Sequence, residues 1–192
     1  MQAFFKSQQF QLIVGILLIF TSLMLLIAYI SFLFNGANDM SIIEQGTTRK
    51  AMREGVTNAL GLPGAVIASW LVDSMFGILV VLPIILLGVY ALKILFNFEW
   101  KGWKIFFCSL FCMLWGAIAL GFIQQLIPTS SFFRWGGAFG EHIAILAISY
   151  IQALGLGLTL LVTLIIFAIV ADKHFVDHCQ QFGAWVANLF KR

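Results

Sequence analysis

A chain of 192 residues that is 61% hydrophobic and 10% charged, with a mean hydropathy of +1.01, lies outside the range of a soluble domain. Its formal charge of +3 is no argument for nucleic-acid binding, and its three cysteines give no disulfide framework. The composition points to a polytopic membrane protein with no soluble domain of ordinary size.

In chain order, the first element is a stretch without a charged residue between Gln11 and Asn35. A span needs about 20 mostly apolar residues, so a helix over 10–34 (Phe10–Phe34) is predicted to cross the membrane. It is longer than the core of a cleavable signal, and no small-x-small site follows, so it is expected to stay as an anchor. The polar stretch 35–60 reads as an outer loop. Gly61 to Asp73 follows as a glycine-punctuated turn and a short helix over 62–74, with Pro63 in the first turn, where proline is tolerated. The second span is placed at 75–95, with Pro83 expected to kink it.

An aromatic-basic connector, Asn97 to Lys104, leads into the third span at 105–127. Cys108 and Cys112 fall at i, i+4 there. Without His or carboxylate neighbours they read as small apolar filler rather than metal ligands. A second glycine turn, Gly136, Gly137 and Gly140, opens another short helix over 137–150 before the fourth span at 155–171. The tail 173–192 has an apolar stripe at helical spacing and a basic end, and is expected to lie as an amphipathic helix on the inner leaflet. The fold class is therefore an all-α membrane protein, one domain over 1–192. Its two parallel units each run span, outer loop, glycine turn, short helix and span.

Orientation follows from Lys and Arg near the span ends. Lys6, Lys93, Lys101, Lys104, Lys173, Lys191 and Arg192 fall on one side; Arg49, Lys50, Arg53 and Arg134 fall on the other. The bias places both termini and the connector in the cytoplasm, with Trp100 and Trp103 in the interfacial belt.

Chemistry is sparse. The first, third and fourth spans hold no ionisable Asp, Glu, Lys, Arg or His, and the second has Lys93 at its end, where it can snorkel. That argues against a proton-coupled transporter, whose path needs intramembrane charge. Asp73, Glu141 and His142 stand beside the glycine turns without a nucleophile at catalytic spacing, and read as partner, lipid or helix-end contacts. Asp73 has two open roles: capping the following helix, or pairing with Arg134. His174 and His178 lack the Glu of a zinc-protease motif, and Asp39, Ser69, Ser130 and Ser131 lack a base with an orienting group. No phosphate loop occurs, so neither a cofactor nor ATP binding is expected.

The order of three motifs carries a resemblance. Asn58, Gly61, Pro63, Gly64, Ala65 and Ala68 precede a proline-containing span. Gly136, Gly137 and Gly140 precede the fourth. Ser31 to Ser41 (SFLFNGANDMS) leaves the first span. Together they resemble the N-terminal four-helix membrane region of the FtsK/SpoIIIE DNA translocases, across essentially the whole chain. The resemblance implies a bacterial inner-membrane anchor, enriched at the division septum, for a hexameric ATP-driven DNA motor. It also implies contacts with membrane lipids and other division proteins, and a homo-oligomer. The linker, motor and DNA-reading domain do not follow in these residues, so no nucleic acid is expected to bind this chain and no enzymatic activity is assigned to it. A segment of a longer translocase and a stand-alone relative are both open. Two rival readings stand beside the anchor: a small transporter or channel subunit, and an enzyme acting on lipid head groups through Asp73, Glu141 and His142.

Overall fold

The computed structural model describes residues 8–46, 48–98, 102–127 and 130–171. All regular structure among them is helical. Helices α1 (Gln8–Glu44), α2 (Arg49–Gly55) and α3 (Gly61–Ser69) come first. A π-helical segment (Trp70–Phe76) and a 3-10 turn (Gly77–Val80) lead into α4 (Val81–Phe96). Helices α5 (Gly102–Leu126) and α6 (Gly137–Ala171) complete the order. Four helical stretches among the described residues are long and apolar enough to cross a membrane: Gln8–Glu44, Gly61–Phe96, Gly102–Leu126 and Gly137–Ala171. The expected amphipathic tail at 173–192 lies outside the described residues.

The chain divides into two compact units, Met1–Leu146 and Ala147–Arg192. Within the first, α1 packs along α4 through small residues, as expected where apolar surface has no water to escape from. A Cβ on Gly15 would stand 2.6 Å from the Leu95 side chain, and one on Gly88 would stand 2.8 Å from Ser22 Oγ. Between them the Ser22 hydroxyl donates to the Ile84 carbonyl at 2.8 Å. Further along, Ala28, Tyr29 and Phe32 of α1 join Ala68, Val72, Val80 and Ile84 in a buried cluster. Phe32 is fully buried and meets the rings of Phe132 and Phe133 at 5.8 and 5.9 Å, contacts worth about 0.5–1.5 kcal/mol each beyond their area. In the second unit, the Thr159 and Thr163 hydroxyls donate to carbonyls one turn back, Gly155 and Thr159, so polar side chains in an apolar helix keep partners.

Two expectations are corrected. The outer loop 35–60 is largely helical: α1 continues to Glu44, and Arg49–Gly55 forms α2. Asn35, Gly36 and Asn38 are weak helix formers, but packing overrides propensity. Gly36 lets Phe32 and Phe132 close over α1, Asp39 is fully buried, and Ile42 reaches Gly55. Second, the break before α4 falls at Gly77 (φ +68), not at Pro83, which occupies the first turn of α4. A proline there gives up an N–H that the preceding turn need not use. The short helix and span predicted after Gly136 both fall within α6, on either side of a break at Gln152 (φ 63, ψ 167), which lies between the predicted bounds 150 and 155.

Candidate interaction site at the two glycine turns

The first group of predicted residues is built around Asn58. Its side chain donates to the Ala28 carbonyl at 3.2 Å and accepts the Leu60 N–H at 3.1 Å, an Asx turn that caps the entry to α3. Gly61 follows at φ +64, which glycine adopts at no steric cost. Pro63 is the third residue of α3, where no intrahelical donor is lost. Gly64 leaves room for the cap, since a Cβ there would stand 2.5 Å from Asn58 Oδ1, and Ala65 is fully buried.

The same segment is stitched to α1 at two further points. Ser31 Oγ accepts the Ala59 N–H at 2.9 Å. Asp39 Oδ1 accepts both the backbone N–H of Thr57, at 2.7 Å, and its hydroxyl, at 3.0 Å. Ala28, Ser31 and Asp39 lie along one side of α1, so the exit from the first helix and the glycine turn are two halves of one joint. Sequence reasoning placed Asp39 in a loop and gave Thr57 no role. The available signal was an acidic residue eight positions after Ser31, near the helical repeat that would align them.

The second group forms where the turn before α6 crosses the break before α4. Gly77 and Gly137 meet backbone to backbone: a Cβ on Gly77 would overlap the Trp135 carbonyl, and one on Gly137 would overlap the Met75 carbonyl. Both have positive φ, +68 and +65. The Ile78 N–H donates to that Trp135 carbonyl at 3.1 Å, and Tyr29 Oη donates to the Ile78 carbonyl at 2.8 Å, so the broken helix keeps its polar groups paired. Gly136 and Gly140 abut α5, where a Cβ on either would overlap the Ala117 carbonyl; Gly121 answers from α5, 2.5 Å from the Gly140 carbonyl by the same measure. Four glycines from the sequence's motifs and break thus find a fifth, Gly121, that no motif indicated.

Side chains lock the crossing from two directions. Gln124 of α5 accepts the Trp135 N–H at 2.8 Å and donates to the Phe133 carbonyl at 3.4 Å. Asp73, on the π-helical segment, takes Arg134 twice: Oδ1 accepts its backbone N–H and Oδ2 its guanidinium, both at 3.0 Å. Of the two roles left open for Asp73, the structure selects pairing with Arg134. Arg134 Nε also faces Glu141 Oε2 at 3.5 Å. His142 does not join them: its Nδ1 lies 2.6 Å from the Ala138 carbonyl one turn back, the geometry of a donated hydrogen bond, and the ring is exposed. Asp73 and Glu141 are therefore both engaged by one guanidinium. Among the described residues no group of three His, Cys, Asp or Glu is placed to hold a metal.

The two ion pairs differ in weight. Asp73 is nearly buried, whereas Glu141 is a third exposed and its partner distance is longer. Arg134→Ala, which strands the Asp73 carboxylate, is expected to cost about 1–3 kcal/mol, while Glu141→Ala is expected to cost under about 1 kcal/mol. Thermal unfolding of the two variants in detergent checks this, and equal losses would mean that Asp73 is not the anchor of the turn.

The arrangement is a rigid joint: two glycine turns, one on α1 and one on α5, bridged by Phe32 against Phe132 and Phe133. Comparison with curated proteins and with solved structures gave no match. The family model for the 4TM region of DNA translocase FtsK/SpoIIIE matches residues 7–183, a range that takes in all four apolar stretches and both turns, and the chain belongs to this family.

Proposed function

We propose that this chain is the membrane anchor and interaction domain of a DNA translocase that acts in cell division and chromosome segregation, and that it collects at the septum of the bacterial inner membrane. The observation that carries the reading is the family match over residues 7–183, joined to four apolar helices whose turns are locked together rather than left as loops. Such a joint suits a surface that others dock on, because its backbone is already ordered and a partner gives up little conformational entropy on its account. Its partners in this reading are membrane lipids, other division proteins and further copies of the same chain, with no nucleic acid bound by these residues. Both termini and the Lys93 end face the cytoplasm, and the Asp73–Arg134 joint faces outward, as the distribution of Lys and Arg favours.

A fluorescent fusion of residues 1–192 in dividing cells tests the proposal. Enrichment at septa well above the surrounding membrane is expected. Uniform membrane fluorescence, with the fusion intact and inserted, would remove the septal role.

A further inference from the structure

Beside the glycine joint, the last turns of α1 and the π-helical segment border an open cleft of about 260 Å³. Met40 and Ile43 line it from α1, an exposed Trp70 lines it from the other wall, and the carboxylates of Asp73 and Glu44 make it acidic. Arg134 already engages both oxygens of Asp73. The Glu44 side chain is exposed and makes no ion pair or hydrogen bond among the described residues. As the last residue of α1, it also meets the unfavourable, negative end of the helix dipole. An aromatic face beside carboxylates is the chemistry that holds an ammonium or guanidinium group.

The matching cations stand on the next helix. Arg49 and Arg53, one helical turn apart on α2, are exposed, as is Lys50, and none of the three has an ion pair among the described residues. Glu54 is the one carboxylate of that helix. Arg49 and Lys50 open α2, the helix end that disfavours positive charge. These cations are kept from their own cleft. Asn38 Nδ2 donates to the Gly55 carbonyl at 3.2 Å and Ile42 packs on Gly55, so α2 is held to the side of α1 that carries Asn38 and Ile42. At about 3.6 residues per turn, Met40, Ile43 and Glu44 lie on the far side of α1, roughly half a turn away. From Phe34, the end of the charge-free run, to Glu44 is about 15 Å at 1.5 Å per residue, so cleft and cations both stand beyond the hydrocarbon. Two copies inserted the same way in one membrane present them at the same level, cations on one side of α1 and cleft on the other. That is head-to-tail complementarity.

We propose that the cleft of one copy receives Arg49 and Arg53 from α2 of a second copy, with Glu44 as their ion-pair partner and Trp70 as the face they stack on. The contact rests on the self-association included in the function proposed above and assigns it a surface.

The full chain is purified in a neutral detergent with donor or acceptor dyes at its N-terminus, and association is read by energy transfer on dilution. Wild-type protein is expected to associate, more weakly as salt rises. Glu44→Lys alone, and Arg49→Glu with Arg53→Glu alone, are each expected to weaken association at least about tenfold, because like charges then meet at the contact. Mixing the two variants is expected to restore transfer between them, since the intact α2 of one meets the intact cleft of the other. A variant that had merely unfolded is not rescued in this way. Either variant associating like wild type, or a mixture no better than each alone, would overturn the contact while leaving self-association to another surface. Absence of transfer in wild type would overturn both the contact and the self-association it rests on.

Discussion

Alanine at Gly77 is expected to destabilise the protein by more than about 4 kcal/mol, the largest single-residue effect in the chain. Two independent penalties coincide there. Gly77 has φ 68 and ψ −149, a backbone region that is essentially glycine-only and costs other residues about 1–3 kcal/mol. A Cβ would also overlap the Trp135 carbonyl, and that carbonyl cannot retreat, because Ile78 donates to it and Gln124 holds the Trp135 N–H. Gly61→Ala separates the penalties. It has a similar φ, +64, but open space around it, and is expected to cost about 1–2 kcal/mol. Thermal or denaturant unfolding in detergent compares them, with Gly137→Ala expected to resemble Gly77→Ala. If Gly77→Ala is no worse than Gly61→Ala, the backbone crossing does not hold the turns together.

The contrast between these glycines also shows what the sequence made legible. Four spans and their order follow from apolar run lengths, because helices must satisfy their own backbone in lipid. Both glycine turns are visible as punctuation, and Asn58 stands out as a motif residue, though its Asx turn is seen only in the structure. The partner of each turn is not visible. A glycine says that something passes close; whether that is the backbone of Trp135, the side chain of Asn58 or open space depends on chain distant in sequence. Gly121 and Gln124 are therefore silent in a helix that otherwise reads as a plain span. The extension of α1 was hidden for a related reason. Asn35, Gly36 and Asn38 are typical of a loop, and the contacts that keep them helical come from Phe132, Gly55 and Thr57. Pro83 misled in the other direction: its strong local signal was absorbed by the first turn of α4, and the break moved to Gly77.

Asp39→Ala is the second large effect, expected at about 2–4 kcal/mol. Asp39 is fully buried, and its Oδ1 is the acceptor for both the N–H and the hydroxyl of Thr57, the residue that leads into the Asn58 cap. Removing it takes the acceptor from the Thr57 N–H in a part-buried joint and unties one of the three stitches between α1 and the glycine turn. Its other oxygen, Oδ2, has no hydrogen-bond partner among the described residues, so the carboxylate's charge carries a desolvation cost that an amide would avoid. Asp39→Asn keeps the Oδ1 acceptor and drops the charge, and is expected to stay within about 1 kcal/mol of wild type. Thr57→Val, which removes the hydroxyl and leaves the N–H bond, is also expected to cost about 1 kcal/mol. Unfolding midpoints of the three variants order the contributions. The outcome that defeats this account is Asp39→Asn falling as far as Asp39→Ala, since the negative charge itself, rather than the acceptor at Oδ1, would then be what the joint requires.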